Sequence, residues 1–223
     1  MSIGCVTIGD AFNSFATQNP EIYSDAFCSA IETAKRLGAT CVNHYCYHIC
    51  MGELDYSRME RFWNKPLTLA ESLKVVLTLE NEAHDATATP DNMIKIIKHF
   101  NSPYFKTNLD VTNYFHASRE GYPEAYDLLK NHIGYVHLKN GCRYRDGMPS
   151  YNTGSSMTGY NAPAPIQYTL LQEGSQNIAG LLFQLKNDGL YNGLCTLEPH
   201  TEPEFVESFY INEVAYLRKL GLF

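Results

Sequence analysis

The sequence predicts an α/β fold in which parallel strands and helices alternate about six times. Short apolar runs rich in β-branched and aromatic residues have the length of strands, and their nearly continuous apolar character is typical of a parallel sheet covered on both faces. Apolar residues at helical spacing follow most of these runs. The strands are predicted at residues 3–8, 40–45, 75–79, 104–109, 134–138 and 194–197.

The helices are indicated by their boundaries as well as by their period. Asn19 before Pro20 is typical of a helix start, and Gly38 is typical of the end of the same helix. Residues 140–165 are rich in Gly, Ser, Tyr and Asn without a clear period, which predicts a long functional loop. Further helices are predicted to begin near Ser57, Pro90, Pro123, Asn177 and Pro203.

Composition excludes several classes of protein. With 17 basic and 24 acidic residues, the net charge is −7, which disfavours a nucleic-acid partner. The apolar runs are shorter than the roughly 18 residues of a membrane span, and the first residues show no secretory signal. The seven cysteines are odd in number and irregularly spaced. We therefore expect free thiols, no membrane partner and a cytoplasmic location.

Four successive predicted strands end on residues that can bind a metal. Because the carboxyl ends of parallel strands meet on one face of an α/β barrel, these side chains are expected to converge. Three carboxylates so close together resist ionisation unless a cation lies among them. A site with mostly oxygen ligands and one imidazole favours Mn²⁺, while Mg²⁺, Co²⁺, Fe²⁺ and Zn²⁺ stay possible. The four residues are Glu80, Asp110, His137 and Glu198.

Four segments around these residues form motifs. They are Leu79-Glu80-Asn81, Leu109-Asp110-Val111-Thr112-Asn113-Tyr114, Val136-His137-Leu138-Lys139 and Gly193-Leu194-Cys195-Thr196-Leu197-Glu198-Pro199-His200. These motifs resemble, in the same order, those of the xylose-isomerase-like TIM-barrel superfamily of sugar isomerases and epimerases, including its ketose 3-epimerase branch. The resemblance covers roughly residues 25–220 and implies a single xylose-isomerase-like TIM-barrel domain over residues 1–223.

The resemblance also implies roles for individual residues. Glu80, Asp110, His137 and Glu198 would bind one divalent metal, and Glu80 and Glu198 would also exchange protons with the substrate carbon. In the family, an arginine six residues after the metal-binding histidine holds substrate oxygens, and Arg143 has that spacing. Substrate contacts are further expected at Asn113, where the 3-epimerases usually have histidine, and at His44 on the barrel rim.

These roles predict a metal-dependent isomerase or epimerase acting on a ketose or related keto-sugar. A carboxylate removes a proton next to a carbonyl, a divalent metal neutralises the developing enediolate, and a second acid returns the proton. A lyase or dehydratase on the same scaffold needs the same groups, as in inosose dehydratases or enzymes that cleave 3-keto-glycosides. A catalytically inactive, truncated relative is the third interpretation.

The length predicts an incomplete barrel. Barrels of this type typically have about 250 residues, and the 223 residues here hold about six βα units, with the metal motifs in the last four. Ile3 to Ile8 therefore corresponds to about the third strand of the family. We expect an N-terminal opening that is filled by residues upstream of Met1, by a partner chain, or by a second copy in a dimer or tetramer.

Overall fold

The computed structural model describes residues 2–9, 15–144, 154–155 and 164–222. Its strands are β1 (Cys5–Thr7), β2 (Cys41–Tyr45), β3 (Val76–Glu80), β4 (Phe105–Leu109), β5 (Ile133–Leu138), β6 (Asn140–Arg143), β7 (Gly154–Ser155), β8 (Ile166–Thr169) and β9 (Cys195–Leu197). Six parallel strands form one sheet in the order β1-β2-β3-β4-β5-β9, and three antiparallel strands form a second sheet in the order β6-β8-β7.

The parallel sheet is a curled half-barrel. Among the described residues, β1 pairs with β2 and β9 pairs with β5, and neither edge strand has a second neighbour. The curl brings the amino ends of the two edge strands towards each other. Gly4 precedes β1 and Leu194 precedes β9, and a Cβ added at Gly4 would lie only 2.5 Å from Leu194 Cδ1. The prediction of an open α/β sheet with six βα-type strands is therefore confirmed.

Helices cover the outer face of the parallel sheet and begin close to the predicted positions. Pro20 is the first residue of α1, and Gly38 ends that helix in the left-handed region at φ 73°. Thr89 caps α3 by accepting a hydrogen bond from the Asn92 amide. The helices are α1 (Pro20–Leu37), α2 (Tyr56–Leu73), α3 (Pro90–Phe100), α4 (Val111–His116), α5 (Tyr126–Leu129), α6 (Ile178–Asp188) and α7 (Val206–Lys219).

The core lies between the sheet and these helices. It contains large side chains from both layers that are completely buried, such as Phe27 of α1, Trp63 of α2 and Phe105 of β4. Because helices cover this face of the sheet, the strand side chains that point towards the helices are buried and mostly apolar. No helix in the described part of the chain is both long and apolar enough to span a membrane.

The segment from 140 to 165 contains regular structure that its composition did not predict. β6 begins two residues after β5 and pairs antiparallel with β8, with Asn140 opposite Thr169. The Asn140 side chain donates hydrogen bonds to the Leu171 and Gln176 carbonyls at 2.7 and 2.9 Å. This small sheet therefore continues directly from the carboxyl end of β5.

Candidate metal centre

The four predicted ligands meet at the carboxyl ends of their strands. Glu80 is the last residue of β3, Asp110 follows β4, His137 is in β5, and Glu198 follows β9. One nitrogen or oxygen atom from each side chain lies within 4.8 Å of those of the other three. The four side chains, which are far apart in the sequence, therefore form a compact cluster on one face of the sheet.

Glu80 is held by amide side chains inside the half-barrel. Its Oε2 atom accepts hydrogen bonds from Asn43 Nδ2 at 2.8 Å and from Asn108 Nδ2 at 3.3 Å. Asn108 also donates to Asn43 Oδ1, so the two amides support each other. Because Oε2 is occupied in this way, Oε1 is directed to His137 Nδ1 at 3.0 Å. The carboxylate is 1% exposed and has little freedom to turn.

Asp110 is fixed by the start of the helix that follows it. Its Oδ1 atom accepts hydrogen bonds from the Thr112 and Asn113 amides at 2.8 and 3.0 Å, as a helix N-cap does. The Asn81 side chain brackets the Asp110 backbone by accepting from its amide and donating to its carbonyl. Oδ2 faces the Lys139 ammonium at 2.9 Å.

Glu198 closes the cluster from the edge strand. Its Oε2 atom lies 2.8 Å from Lys139 Nζ and 3.4 Å from His137 Nδ1. His200 Nε2 approaches the same oxygen at 3.8 Å. The Glu198 side chain is 33% exposed, whereas the Glu80 side chain is 1% exposed. Glu198 is therefore the more accessible of the two glutamates.

The charges of the cluster compensate one another. Burial disfavours a protonated His137, but hydrogen bonds to Glu198 and Glu80 outweigh burial and raise its pKa to about 11. Burial also disfavours an ionised Glu198, but Lys139 and His137 hold its pKa well below the usual range. The pKa of Asp110 is raised because burial outweighs the attraction of Lys139.

The donor set fits a divalent cation. Three carboxylates and one imidazole are ligands that Mn²⁺, Mg²⁺ and Zn²⁺ all accept. Ligands on opposite sides of an ion with bonds of about 2.1 Å lie about 4.2 Å apart, so the 4.8 Å limit requires only a small contraction. An ion here would replace the protons and ammonium contacts that now neutralise the carboxylates.

The expectation that His44 contacts substrate is corrected by its position. Its ring is completely buried in the core, on the side of β2 opposite to Asn43. Burial lowers its pKa to about 3. Side chains alternate between the two faces of a strand, so Asn43 and Tyr45 face the barrel interior and His44 does not. The ring centroid lies 4.9, 5.1 and 5.4 Å from those of Phe27, Trp63 and Phe105.

Arg143 and Asn113 contact other parts of the protein, and their expected substrate contacts stay predictions. The Arg143 guanidinium donates to the Phe115 carbonyl at 3.0 Å and to Ser118 Oγ at 2.8 Å, at the end of α4. It also lies over the Phe115 ring. The Asn113 side chain donates to the Asn81 carbonyl at 2.9 Å and is 3% exposed.

The sequence reasoning missed Lys139, Asn43 and Asn108 as parts of the site. Lys139 is two residues after His137 and so shares its side of the strand, which is a signal that the sequence offers. Asn43 and Asn108 are amides within predicted buried strands, where a polar side chain needs a hydrogen-bond partner. Tyr168 of β8 lies beside the cluster, with Lys139 Nζ 6.0 Å from its ring centroid.

Solved structures with this fold include enzymes of more than one reaction class. A xylose isomerase-like TIM barrel protein from Mycobacterium smegmatis in complex with magnesium has a TM-score of 0.73 and 17% identity, over 99% of this chain and 73% of that one. A D-tagatose 3-epimerase-like protein has a TM-score of 0.64 and 20% identity, over 97% and 78%. The probable 3-DHS dehydratase AsbF from Bacillus anthracis has a TM-score of 0.70 and 13% identity, over 97% and 76%.

These likenesses are at low identity and show the fold. This chain spans only 65% to 80% of the length of the solved structures that resemble it. No curated protein matches it in sequence. The model of one protein family, described as xylose isomerase-like TIM barrel, matches residues 3–220. The chain therefore belongs to the xylose isomerase-like TIM barrel family.

Proposed function

We propose that the protein is a divalent-metal-dependent isomerase or epimerase of a ketose or related keto-sugar. The observation that carries the proposal is the convergence of Glu80, Asp110, His137 and Glu198 on one point. A divalent ion bound there, with Mn²⁺ favoured, would polarise the substrate carbonyl and make the neighbouring C–H bond more acidic. The fold, and its similarity to a D-tagatose 3-epimerase-like protein, support this chemistry.

The two glutamates are the groups that transfer the proton. Glu198 is partly exposed at the mouth, so it is placed to remove a proton from the carbon next to the carbonyl. Glu80 Oε1 lies 3.0 Å from His137 Nδ1, the same atom that Glu198 Oε2 approaches at 3.4 Å. Glu80 would enter the step carrying a proton and donate it on the opposite face, which inverts the carbon, while Glu198 keeps the proton that it removed. Donation at the neighbouring carbon, with the hydroxyl proton passing to the other oxygen, would move the carbonyl instead. The amides of Asn43 and Asn108 keep the Glu80 carboxyl group in one orientation.

Metal analysis together with turnover on a panel of ketoses tests this proposal. We expect the purified protein to contain close to one divalent ion per chain and to lose turnover after treatment with a chelator. Glu198→Gln should abolish turnover, and Glu207→Gln, at an exposed position of α7, serves as the control. A protein without divalent metal, in which Glu198→Gln leaves ketose turnover unchanged, would contradict the proposal.

A lyase or dehydratase is the second candidate. The similarity to a probable dehydratase supports it, because elimination begins with the same proton abstraction next to a carbonyl. The mass of the product separates the two reactions. Isomerisation and epimerisation conserve the mass of the substrate, whereas elimination gives a product that is lighter by the lost group.

A further inference from the structure

Lys139 lies inside the metal cluster and contacts the oxygen atoms that a metal needs. Its ammonium is 2.9 Å from Asp110 Oδ2 and 2.8 Å from Glu198 Oε2, and its side chain is 5% exposed. The ammonium therefore lies between oxygen atoms of two of the four candidate ligands.

Only one carboxylate oxygen of Asp110 is available to bind a metal. Its Oδ1 atom already accepts hydrogen bonds from two backbone amides, those of Thr112 and Asn113. The amides cannot move away without unwinding the start of α4. Oδ2 is thus the atom through which Asp110 would bind an ion, and it is the atom that Lys139 contacts.

We infer that Lys139 competes with the divalent metal from inside the protein. Its ammonium and the ion occupy the same oxygen atoms of Asp110 and Glu198 in turn. Lys139 thereby sets the affinity of the site for the metal. The inference rests on the proposed metal site. Two like charges within a few ångströms repel strongly in a buried environment, so the ammonium has to leave when the ion binds. The Tyr168 ring, 6.0 Å from Lys139 Nζ, offers the displaced cation a nearby partner.

A lysine that competes with the metal and a lysine that supports the metal ligands have opposite effects on metal affinity when they are removed. Residues that only orient metal ligands typically cost about 10- to 100-fold in metal affinity when they are replaced. A competitor should act in the other direction. In the absence of metal, however, Lys139 neutralises the buried carboxylates, so its removal should lower the thermal stability of the chelator-treated protein.

Calorimetric titration with Mn²⁺ tests the inference. We expect Lys139→Met to bind Mn²⁺ about tenfold more tightly than the wild type, because the competing cation is gone while its apolar stem is kept. Lys139→Arg keeps a cation and should not show this gain. Lys130→Met, which removes a lysine paired with Asp127 on the protein surface, is the matched control and should leave the affinity unchanged.

Equal or weaker Mn²⁺ binding by Lys139→Met would overturn the inference and leave the proposed function standing. A wild-type protein that binds no divalent ion would instead refute the proposed function. If Lys139→Met does not fold, NMR of the wild type with labelled lysine side chains decides. The Lys139 resonance should shift when Mg²⁺ is added, and an unchanged resonance at saturation would overturn the inference.

Discussion

Replacing His44 should remove part of the acid sensitivity of the protein. The imidazole is completely buried among aromatic rings, and in the described structure neither ring nitrogen has a hydrogen-bond partner. Burial lowers its pKa from 6.5 to about 3. The unfolded chain therefore takes up a proton as the pH falls below 6.5, while the folded protein does not until about pH 3. Folding stability contributed at this position is lost across that range.

The size of the effect follows from the shift. One pKa unit corresponds to about 1.4 kcal/mol, so at pH 5 the folded state has lost about 2 kcal/mol relative to neutral pH. Near pH 3, where half of the folded protein has also taken up the proton, it has lost about 4 kcal/mol. His44→Leu has a similar volume and cannot titrate. Any packing cost of the substitution is the same at every pH, so it does not change the difference between the two pH values.

Urea unfolding at pH 7.5 and pH 5.0 provides the assay. The wild type should lose about 2 kcal/mol more stability between these pH values than His44→Leu does. His48→Leu, at an exposed position after the same strand, controls for the loss of an imidazole from the chain. An identical loss in the wild type and in His44→Leu would refute the reasoning, because it would mean that His44 is protonated in the folded protein.

Three further predictions concern other parts of the molecule. Burial raises the pKa of Glu213 to about 7, so Glu213→Gln should increase stability at pH 8 by roughly 2 kcal/mol and have little effect at pH 4 in thermal unfolding. Asn43→Leu removes a hydrogen bond to Glu80 and should weaken Mn²⁺ binding about 10- to 100-fold in calorimetry, whereas full affinity would show that Asn43 does not position Glu80. The open edges of β1 and β9 should be covered by a second copy, so light scattering should give at least a dimer, and a stable monomer would contradict this.

The sequence predicts the strands and the four convergent side chains because both depend on local patterns. The strand predicted at 75–79 is observed one residue later, at Val76–Glu80. Glu80 lies at its carboxyl end, as expected. The prediction for His44 is wrong for a different reason. It rests on residue type, but the face that His44 occupies depends on the register of β2 against β3, where Asn43 is opposite Thr78. That register is a long-range property.

Contacts between distant segments account for the other differences. Arg143 has the family spacing after His137, yet its guanidinium binds the end of α4, which is 25 residues away at Ser118. The antiparallel pairing of β6 with β8 likewise joins segments that show no periodic pattern. Lys139 was visible in a motif, but its role depends on Asp110 and Glu198 having the same neighbour, which no single motif contains.

The open barrel has separate consequences for metal binding and for substrate binding. All four candidate ligands come from β3, β4, β5 and β9, which are consecutive in the sheet, so the cluster needs no strand beyond the edges. Glu198 is nevertheless on an edge strand and remains partly exposed. The chain alone should therefore bind Mn²⁺, while turnover should depend on whatever encloses the open side and excludes water. Metal affinity that is constant over a range of protein concentrations, with turnover per chain that rises as copies associate, is the expected result. Loss of metal affinity on dilution would show instead that the edge is needed to hold Glu198 in place.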